Sequence, residues 1–142
     1  MLKGIDPLLS PDLLQVLANM GHGDEIVLVD CHFPAVTNAQ RLVRMDGCDM
    51  PSVARAILSV LPIDTFIDQP VGGMMRVDTP EVLPEVQAEV FADVNAAEGR
   101  QVGTERIERF AFYGRARKAF AVVITGEQRP YGCVLFTKGV LI

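Results

Sequence analysis

The chain has 142 residues, of which 49% are hydrophobic and 22% are charged, and its formal net charge at pH 7 is −5. These values predict one globular domain, residues 1–142, with a core large enough to fold without metal or disulfides. The acidic net charge argues against nonspecific nucleic-acid binding. No uncharged apolar run approaches the roughly 18 residues of a membrane span, so neither nucleic acid nor a membrane is expected as a partner.

The first predicted element is a helix with a clear start signal. Ser10 can cap it, and Pro11 suits the first helical position. Gly21 is predicted to end the helix in a left-handed conformation. The apolar face of this helix consists of Leu13, Leu14, Leu17 and Met20.

The next elements alternate between strand and helix patterns. Residues 26–29 are a continuous apolar run rich in β-branched side chains, which predicts a strand buried on both faces and ending at Asp30. A second strand is predicted over residues 41–45. A second helix is predicted over residues 51–61, with Pro62 as its terminator.

The second half of the chain continues this alternation. Four prolines and the pair Gly72–Gly73 predict turns between residues 62 and 84, around a short strand at residues 74–77. The remaining predicted elements are helices at 84–98 and 109–119 and strands at 120–125 and 133–138. The pattern predicts an α/β fold, a single domain with a mixed β-sheet and helices packed on its faces in three layers. The last two strands are expected to pair antiparallel.

His22 is the first candidate for chemistry, since it lies between two glycines just after a helix and just before the strand that ends at Asp30. A histidine is the usual general acid or base near neutral pH, and a helix carboxyl end favours the charged ring. His22 is therefore a candidate proton donor. The alternative is that His22 is only a polar cap residue that pairs with Asp24.

A metal site is a second interpretation of the same segment. His22, Asp24, Asp30 and His32 supply two imidazoles and two carboxylates, a set that could bind zinc, manganese or iron. However, Asp30 and His32 straddle the strand end and no HExxH motif is present. The glycines beside His22 lack the third glycine of a dinucleotide loop. We therefore expect no metal and no cofactor.

Arg109 is another candidate, because an arginine before paired aromatic residues could clamp a sugar hydroxyl or a carboxylate while a ring covers the apolar face. For its neighbours we prefer a structural interpretation. Phe110 and Phe112 are expected in the core, and Arg115 and Arg117 are expected to be solvated or at an interface.

The start of the last predicted strand carries the third candidate group, Tyr131, Gly132 and Cys133. Glycine lets a ligand approach the backbone and tyrosine offers a hydroxyl, although a hairpin edge explains Gly132 equally well. Cys133 has no adjacent base and is expected to be a small buried residue rather than a nucleophile. The three cysteines form no CxxC pair, which favours a reducing, cytoplasmic location.

Several of these segments, in this order, resemble one known family over nearly the whole chain. The matching residues are Leu13 through Glu25, Asp30, His32, Phe33, Pro34, Arg44, Asp46, Gly47, Arg109 through Tyr113, Lys118 through Glu127, Tyr131, Gly132 and Lys138 through Val140. They resemble the L-fucose mutarotase and D-ribose pyranase family, formerly called sugar transport accessory proteins, and more closely its fucose branch.

The resemblance implies a cofactor-independent isomerase that changes the anomeric or ring form of a free monosaccharide. It implies that His22 is the proton donor and that Asp30, Arg109 and residues 131–133 bind the sugar. The base is left open between water and a tyrosine. The resemblance also implies a ring-like homo-oligomer in which the triplet at residues 131–133 completes a neighbour's site.

Position 133 departs from the family, because the fucose branch often has asparagine where this chain has Cys133. Loss of an amide that both donates and accepts would weaken a side-chain contact to a sugar hydroxyl. The preferred sugar therefore stays open between L-fucose and a related sugar. Two alternatives remain, a D-ribose pyranase and a noncatalytic monosaccharide-binding or transport accessory protein.

Overall fold

The computed structural model describes residues 1–142, which form six strands and five helices. The strands are β1 (Glu25–Val29), β2 (Leu42–Met45), β3 (Val71–Met74), β4 (Thr104–Ile107), β5 (Ala121–Thr125) and β6 (Val134–Thr137). The helices are α1 (Pro11–Asn19), α2 (Ala35–Asn38), α3 (Met50–Leu58), α4 (Glu85–Glu98) and α5 (Arg109–Lys118). No helix is long and apolar enough to cross a membrane.

All six strands belong to one sheet in the order β2-β5-β1-β6-β3-β4. Only β6 runs antiparallel to its neighbours β1 and β3, and every other pairing is parallel. The mixed sheet is confirmed, but the predicted pairing of the last two strands is wrong. β1 lies between them, and its Val27 faces Val122 of β5 on one side and Leu135 of β6 on the other.

Helices cover both faces of the sheet, which confirms the three-layer architecture. Side chains alternate along β1, so Ile26 and Leu28 pack in the core under α1, α3 and α4, while Val27 and Val29 pack in a second core with α2 and α5. All four are completely buried. This explains why the run reads as continuously apolar in the sequence.

The predicted helix starts are confirmed more closely than the helix ends. Ser10 caps α1 and its Oγ accepts the N–H of Leu13 at 3.2 Å. The helix then ends in extended backbone, and the left-handed glycine is Gly23, with φ 89°, rather than Gly21. The second predicted helix is α3, which ends at Leu58, before the proposed terminator.

Two glycines lie inside β3, which begins and ends three residues earlier than predicted. A Cβ on Gly72 would lie 2.7 Å from Cδ1 of Ile107, and a Cβ on Gly73 would overlap the side chain of Gln87. Glycine here leaves room for neighbouring side chains that approach the strand closely on both faces. The interpretation of this pair as a turn is wrong.

Two short elements have no counterpart among the predictions, α2 and the edge strand β4. The charged residues of β4 suit a strand at the edge of the sheet, but they also obscure the apolar pattern by which a strand is predicted from sequence. In α5, Phe112 is buried as predicted, whereas Phe110 is 66% exposed, so its placement in the core is wrong. Arg115 forms ion pairs with Glu25 and Glu105 at the ends of two strands.

Candidate functional site

One edge of the sheet gathers most of the candidate residues. The carboxyl end of β1 carries Asp30, and α5 begins with Arg109 directly after β4. Because β6 runs in the opposite direction, its amino end, with Tyr131 and Cys133, lies at this same edge. An open pocket of about 320 Å³ lies there, near the lower limit for small-molecule sites. It is lined by Asp30, His32, Phe33, Met74, Val77, Arg109, Tyr113, Pro130, Tyr131 and Cys133.

Asp30 is the central acid of this pocket and is almost completely buried. Its Oδ2 accepts the N–H of Gly132 at 3.0 Å and the thiol of Cys133 at 3.6 Å, and its Oδ1 accepts the N–H of His32 at 3.0 Å. Burial raises the pKa of Asp30, while the two backbone N–H groups oppose that change. The carboxylate is thus fixed in one orientation at the pocket wall.

The residues at the start of β6 are held tightly around Asp30. Tyr131 has φ 59° and is the single non-glycine residue with positive φ. Its hydroxyl accepts the N–H of Val77 at 3.1 Å. A Cβ on Gly132 would lie 3.2 Å from Cβ of Asp30, so glycine at this position leaves room for the close approach of Asp30. Burial, with the Asp30 charge, raises the pKa of the Cys133 thiol well above its ordinary value.

Arg109 stands at the exposed rim of the pocket as the first residue of α5. Its Nε donates to Oη of Tyr113 at 3.1 Å. Tyr113 lies one helical turn further along α5, and this bond fixes the orientation of the guanidinium group. Its two terminal nitrogens have no hydrogen-bond partner in the chain. They are free to bind hydroxyl oxygens of a ligand in the pocket.

His22 does not lie in this pocket. It precedes β1, whereas Asp30 follows β1, and the five strand residues between the two turns span about 16 Å at about 3.3 Å per residue. The backbone of Gly23 beside it donates to Lys138, just past the far end of β6, which places His22 at the opposite edge of the sheet. A single chain therefore holds two separate groups of candidate residues.

At its own edge His22 has a defined partner. Its Nε2 lies 2.9 Å from Oδ1 of Asp64, and its ring packs edge-on against Phe66 with centroids 4.7 Å apart. The predicted pairing with Asp24 is wrong, because that carboxylate accepts the N–H of Gly21 at 2.8 Å. Asp64 has no sequence signal, since it is 42 positions from His22.

The hydrogen bond between His22 and Asp64 determines which nitrogen of the His22 ring is left free to contact a ligand. Burial raises the pKa of Asp64, but the hydrogen bonds from His22 and from two backbone N–H groups outweigh it, and the pKa is lowered overall. An ionised carboxylate only accepts, so Nε2 of His22 carries the proton that faces Asp64. Nδ1 is left to face solvent or a ligand, and 39% of the side chain is exposed.

The end of the chain supports the turn that carries His22. Nζ of Lys138 donates to the carbonyl of Leu17 in α1 at 2.9 Å and to that of Met20, just past the helix, at 2.6 Å. Gly139 packs against the Asp64 backbone so closely that a Cβ would lie 2.8 Å from Cα of Asp64. The supporting role of Lys138 was missed by the sequence reasoning, which had marked this position only through the family resemblance.

The hypothetical metal ligands do not converge within one chain. His22 and Asp24 lie at one edge of the sheet, while Asp30 and His32 lie at the other, and no group of three or more metal-binding side chains is present. His32 instead places Nε2 3.2 Å from the carbonyl of Gln128.

An open, partly apolar pocket at the strand ends of an α/β domain, with fixed polar groups in its wall, is the usual form of a small-molecule site. The chain belongs to the RbsD / FucU transport protein family, whose sequence model matches residues 3–141. The resemblance found in the sequence is thereby confirmed.

Individual relatives are similar over nearly their full length. The L-fucose mutarotase of Actinobacillus pleuropneumoniae serotype 5b (strain L20) is 44% identical over 99% of this chain and 97% of its own. The crystal structure of the fucose mutarotase from Streptococcus pneumoniae in complex with L-fucose is 35% identical, with a TM-score of 0.92 over 99% of this chain and 100% of that one. Bacillus subtilis RbsD, solved with D-ribose, shares the fold at 20% identity, with a TM-score of 0.72 and full coverage of both chains.

Proposed function

We propose that the chain is a cofactor-independent mutarotase, an isomerase that interconverts the α and β anomers of L-fucose, with residues 1–142 as one mutarotase domain. The observation that carries the proposal is the 44% identity, over 99% of the chain, to a protein named L-fucose mutarotase. The pocket adds chemical support. Phe33, Met74 and Val77 give it an apolar wall suited to the methyl group of a 6-deoxy sugar, beside the polar Asp30 and Arg109.

The reaction needs only positioned proton transfers. A proton goes to the ring oxygen, the anomeric hydroxyl loses one, and the bond between C1 and the ring oxygen breaks to give the open aldehyde. Rotation about the C1–C2 bond and closure then give the other anomer, and both protons return. In this proposal Nδ1 of His22 serves the ring oxygen, Asp30 and Arg109 hold hydroxyls, and the base is water or a tyrosine. Such proton transfer contributes about 10²- to 10⁴-fold.

We infer that the site is shared between two copies of the chain in a homo-oligomer. His22 and the Asp30 pocket lie at opposite edges of the sheet, so His22 of one copy reaches the pocket of the next through a head-to-tail contact. Head-to-tail contacts form a ring when the rotation between successive copies closes on itself. Apolar side chains exposed beside both groups support the contact, with Phe66 and Ile67 near His22 and Val77 and Phe110 near the pocket.

The activity itself is tested by NMR exchange between the α and β anomer signals. The wild-type chain is expected to speed exchange for L-fucose, and D-ribose is measured beside it, including pyranose–furanose conversion. A noncatalytic binder would shift or broaden the signals without exchange. Preferential action on D-ribose would move the assignment to the pyranase branch.

The shared site is tested by complementation. His22→Ala and Arg109→Ala chains are each expected to be inactive. After dissociation and reassembly of an equal mixture, about one quarter of the shared sites combine an intact His22 with an intact Arg109, so activity returns to about that fraction. A chain carrying both substitutions, mixed with either variant, is the control and stays inactive. No recovery in the first mixture would place the whole site in one chain.

We also propose a reducing, cytoplasmic location. Cys31, Cys48 and Cys133 are all free thiols, and none is paired in a disulfide. Free thiols persist in reducing compartments. Maleimide labelling of the protein in intact cells, with and without a reductant, tests this proposal.

A further inference from the structure

Gln87 is a completely buried amide outside the pocket. It lies in the first turn of α4, and its Nε2 donates to the carbonyl of Met74 at 2.7 Å and to the carbonyl of Tyr131 at 2.8 Å. Met74 ends β3 and Tyr131 precedes β6, and both residues line the pocket. One side chain therefore ties two walls of the pocket together from behind.

The strand in front of Gln87 is built to admit this side chain. A Cβ on Gly73 would overlap Oε1 of Gln87 and would lie 2.8 Å from its Cδ. Oε1 is buried and has no hydrogen-bond donor, which is unfavourable for a buried oxygen. An apolar residue would avoid that unsatisfied oxygen but would leave the carbonyls of Met74 and Tyr131 without their donor, so the contacts of Nε2 do more than fill space.

The bond from Gln87 to Tyr131 acts on a peptide unit of the site, the one that joins Tyr131 to Gly132. The carbonyl of Tyr131 and the N–H of Gly132 belong to the same planar peptide. Gln87 binds its carbonyl end, and Oδ2 of Asp30 binds its N–H end at 3.0 Å. Tyr131 is at the same time held at φ 59°, a conformation that a non-glycine residue keeps only when its surroundings enforce it.

We propose that Gln87 is a positioning residue that fixes the plane of the Tyr131–Gly132 peptide and thereby orients Asp30 and the start of β6 for sugar binding. The proposal rests on the proposed function for its consequence, sugar affinity, but not for the geometry of the peptide. Because the contact acts on binding in the ground state and the transition state alike, its loss raises KM and leaves kcat nearly unchanged.

Two variants remove the contact by different routes. Gln87→Met keeps the size and removes both donors, and Gly73→Ala pushes the amide away from its carbonyls. We expect each to raise KM for L-fucose about tenfold with a change in kcat below about twofold. Gly72→Ala is the matched control, since its methyl group meets Ile107 instead. We expect that variant to keep the wild-type KM.

A structural readout separates this proposal from the proposed function. The chain has two tyrosines, so spectra of ¹³C-labelled tyrosine, assigned with Tyr113→Phe, report Tyr131 alone. The Tyr131 signals are expected to shift in Gln87→Met and to stay in place in Gly72→Ala. Unmoved signals or an unchanged KM in Gln87→Met would overturn the positioning role. If the Tyr131 signals move but the wild-type chain exchanges no anomers, the proposed function fails and the geometric role of Gln87 stands.

Discussion

Asp64→Asn is the sharpest test of the proposed proton donor. The substitution keeps the shape of the residue but removes the negative charge that lies 2.9 Å from Nε2 of His22. The amide can present its nitrogen to the ring or accept from it as a neutral group. In both cases the protonated ring loses its stabilising charge, and Nδ1 is less firmly aimed at a sugar.

The magnitude follows from the hydrogen bond and from exposure. A hydrogen bond to a charged group contributes about 1.5–3 kcal/mol. Asp64 is buried, but 39% of the His22 side chain is exposed, and solvent screening favours the lower end of that range. About 1.5 kcal/mol corresponds to about a tenfold loss in kcat/KM. His22→Ala removes the donor itself, and we expect a loss of about 10²- to 10⁴-fold.

The assay is anomer exchange of L-fucose at neutral pH, with circular dichroism as the check that each variant is folded. Asp93→Asn is the matched control, since Asp93 pairs with Arg55 on the surface between α3 and α4 and its loss removes the same charge. The control is expected to keep wild-type kcat/KM. An Asp64→Asn variant as active as the control would refute the reasoning that His22 acts through this pair.

Three further predictions concern the pocket and the loop behind His22. Burial raises the folded-state pKa of Asp30, so its contribution to stability is fully present below about pH 3.8 and is lost as pH rises through the folded pKa. Urea unfolding should therefore show the stability of the wild type falling relative to that of Asp30→Asn as pH rises, and a relative gain would contradict the burial argument. Cys133→Asn adds an amide, and we expect KM for L-fucose to fall by up to about tenfold in the exchange assay; a higher KM would mean that the pocket has no room for it. Gly139→Ala forces a methyl group against the backbone of Asp64, and calorimetry should show a loss of about 1–3 kcal/mol that Gly47→Ala, a substitution into open space, does not show.

Elements with local signals were predictable from the sequence. The cap at Ser10 and the doubly buried strand β1 depend on neighbouring residues alone, and both are confirmed. Elements that depend on contacts with residues far away in the sequence were not predictable from it. The pair Gly72–Gly73 looks like a turn in the sequence, and only the side chains that pack against it explain why it is a strand.

The candidate site shows the same division. Sequence reasoning selected Asp30, Arg109 and Tyr131, and the chain topology brings them to one pocket, although their roles toward a sugar stay predictions. His22 is eight positions from Asp30, yet the intervening strand holds the two apart. Asp64 and Gln87 were missed because each acts through contacts that close long loops of chain.

Because β6 runs opposite to its two neighbours, its two ends support two different groups of residues. Its amino end leads from the triplet that surrounds Asp30, and its carboxyl end leads to Lys138 and Gly139, which hold the turn of His22 and the backbone of Asp64. Only four residues separate the two ends. Since a shift of one residue in a strand turns every side chain to the other face, an insertion or deletion in β6 would misplace both groups at once. The four-residue length of β6 therefore sets the positions of the His22 turn and of the Asp30 pocket relative to each other.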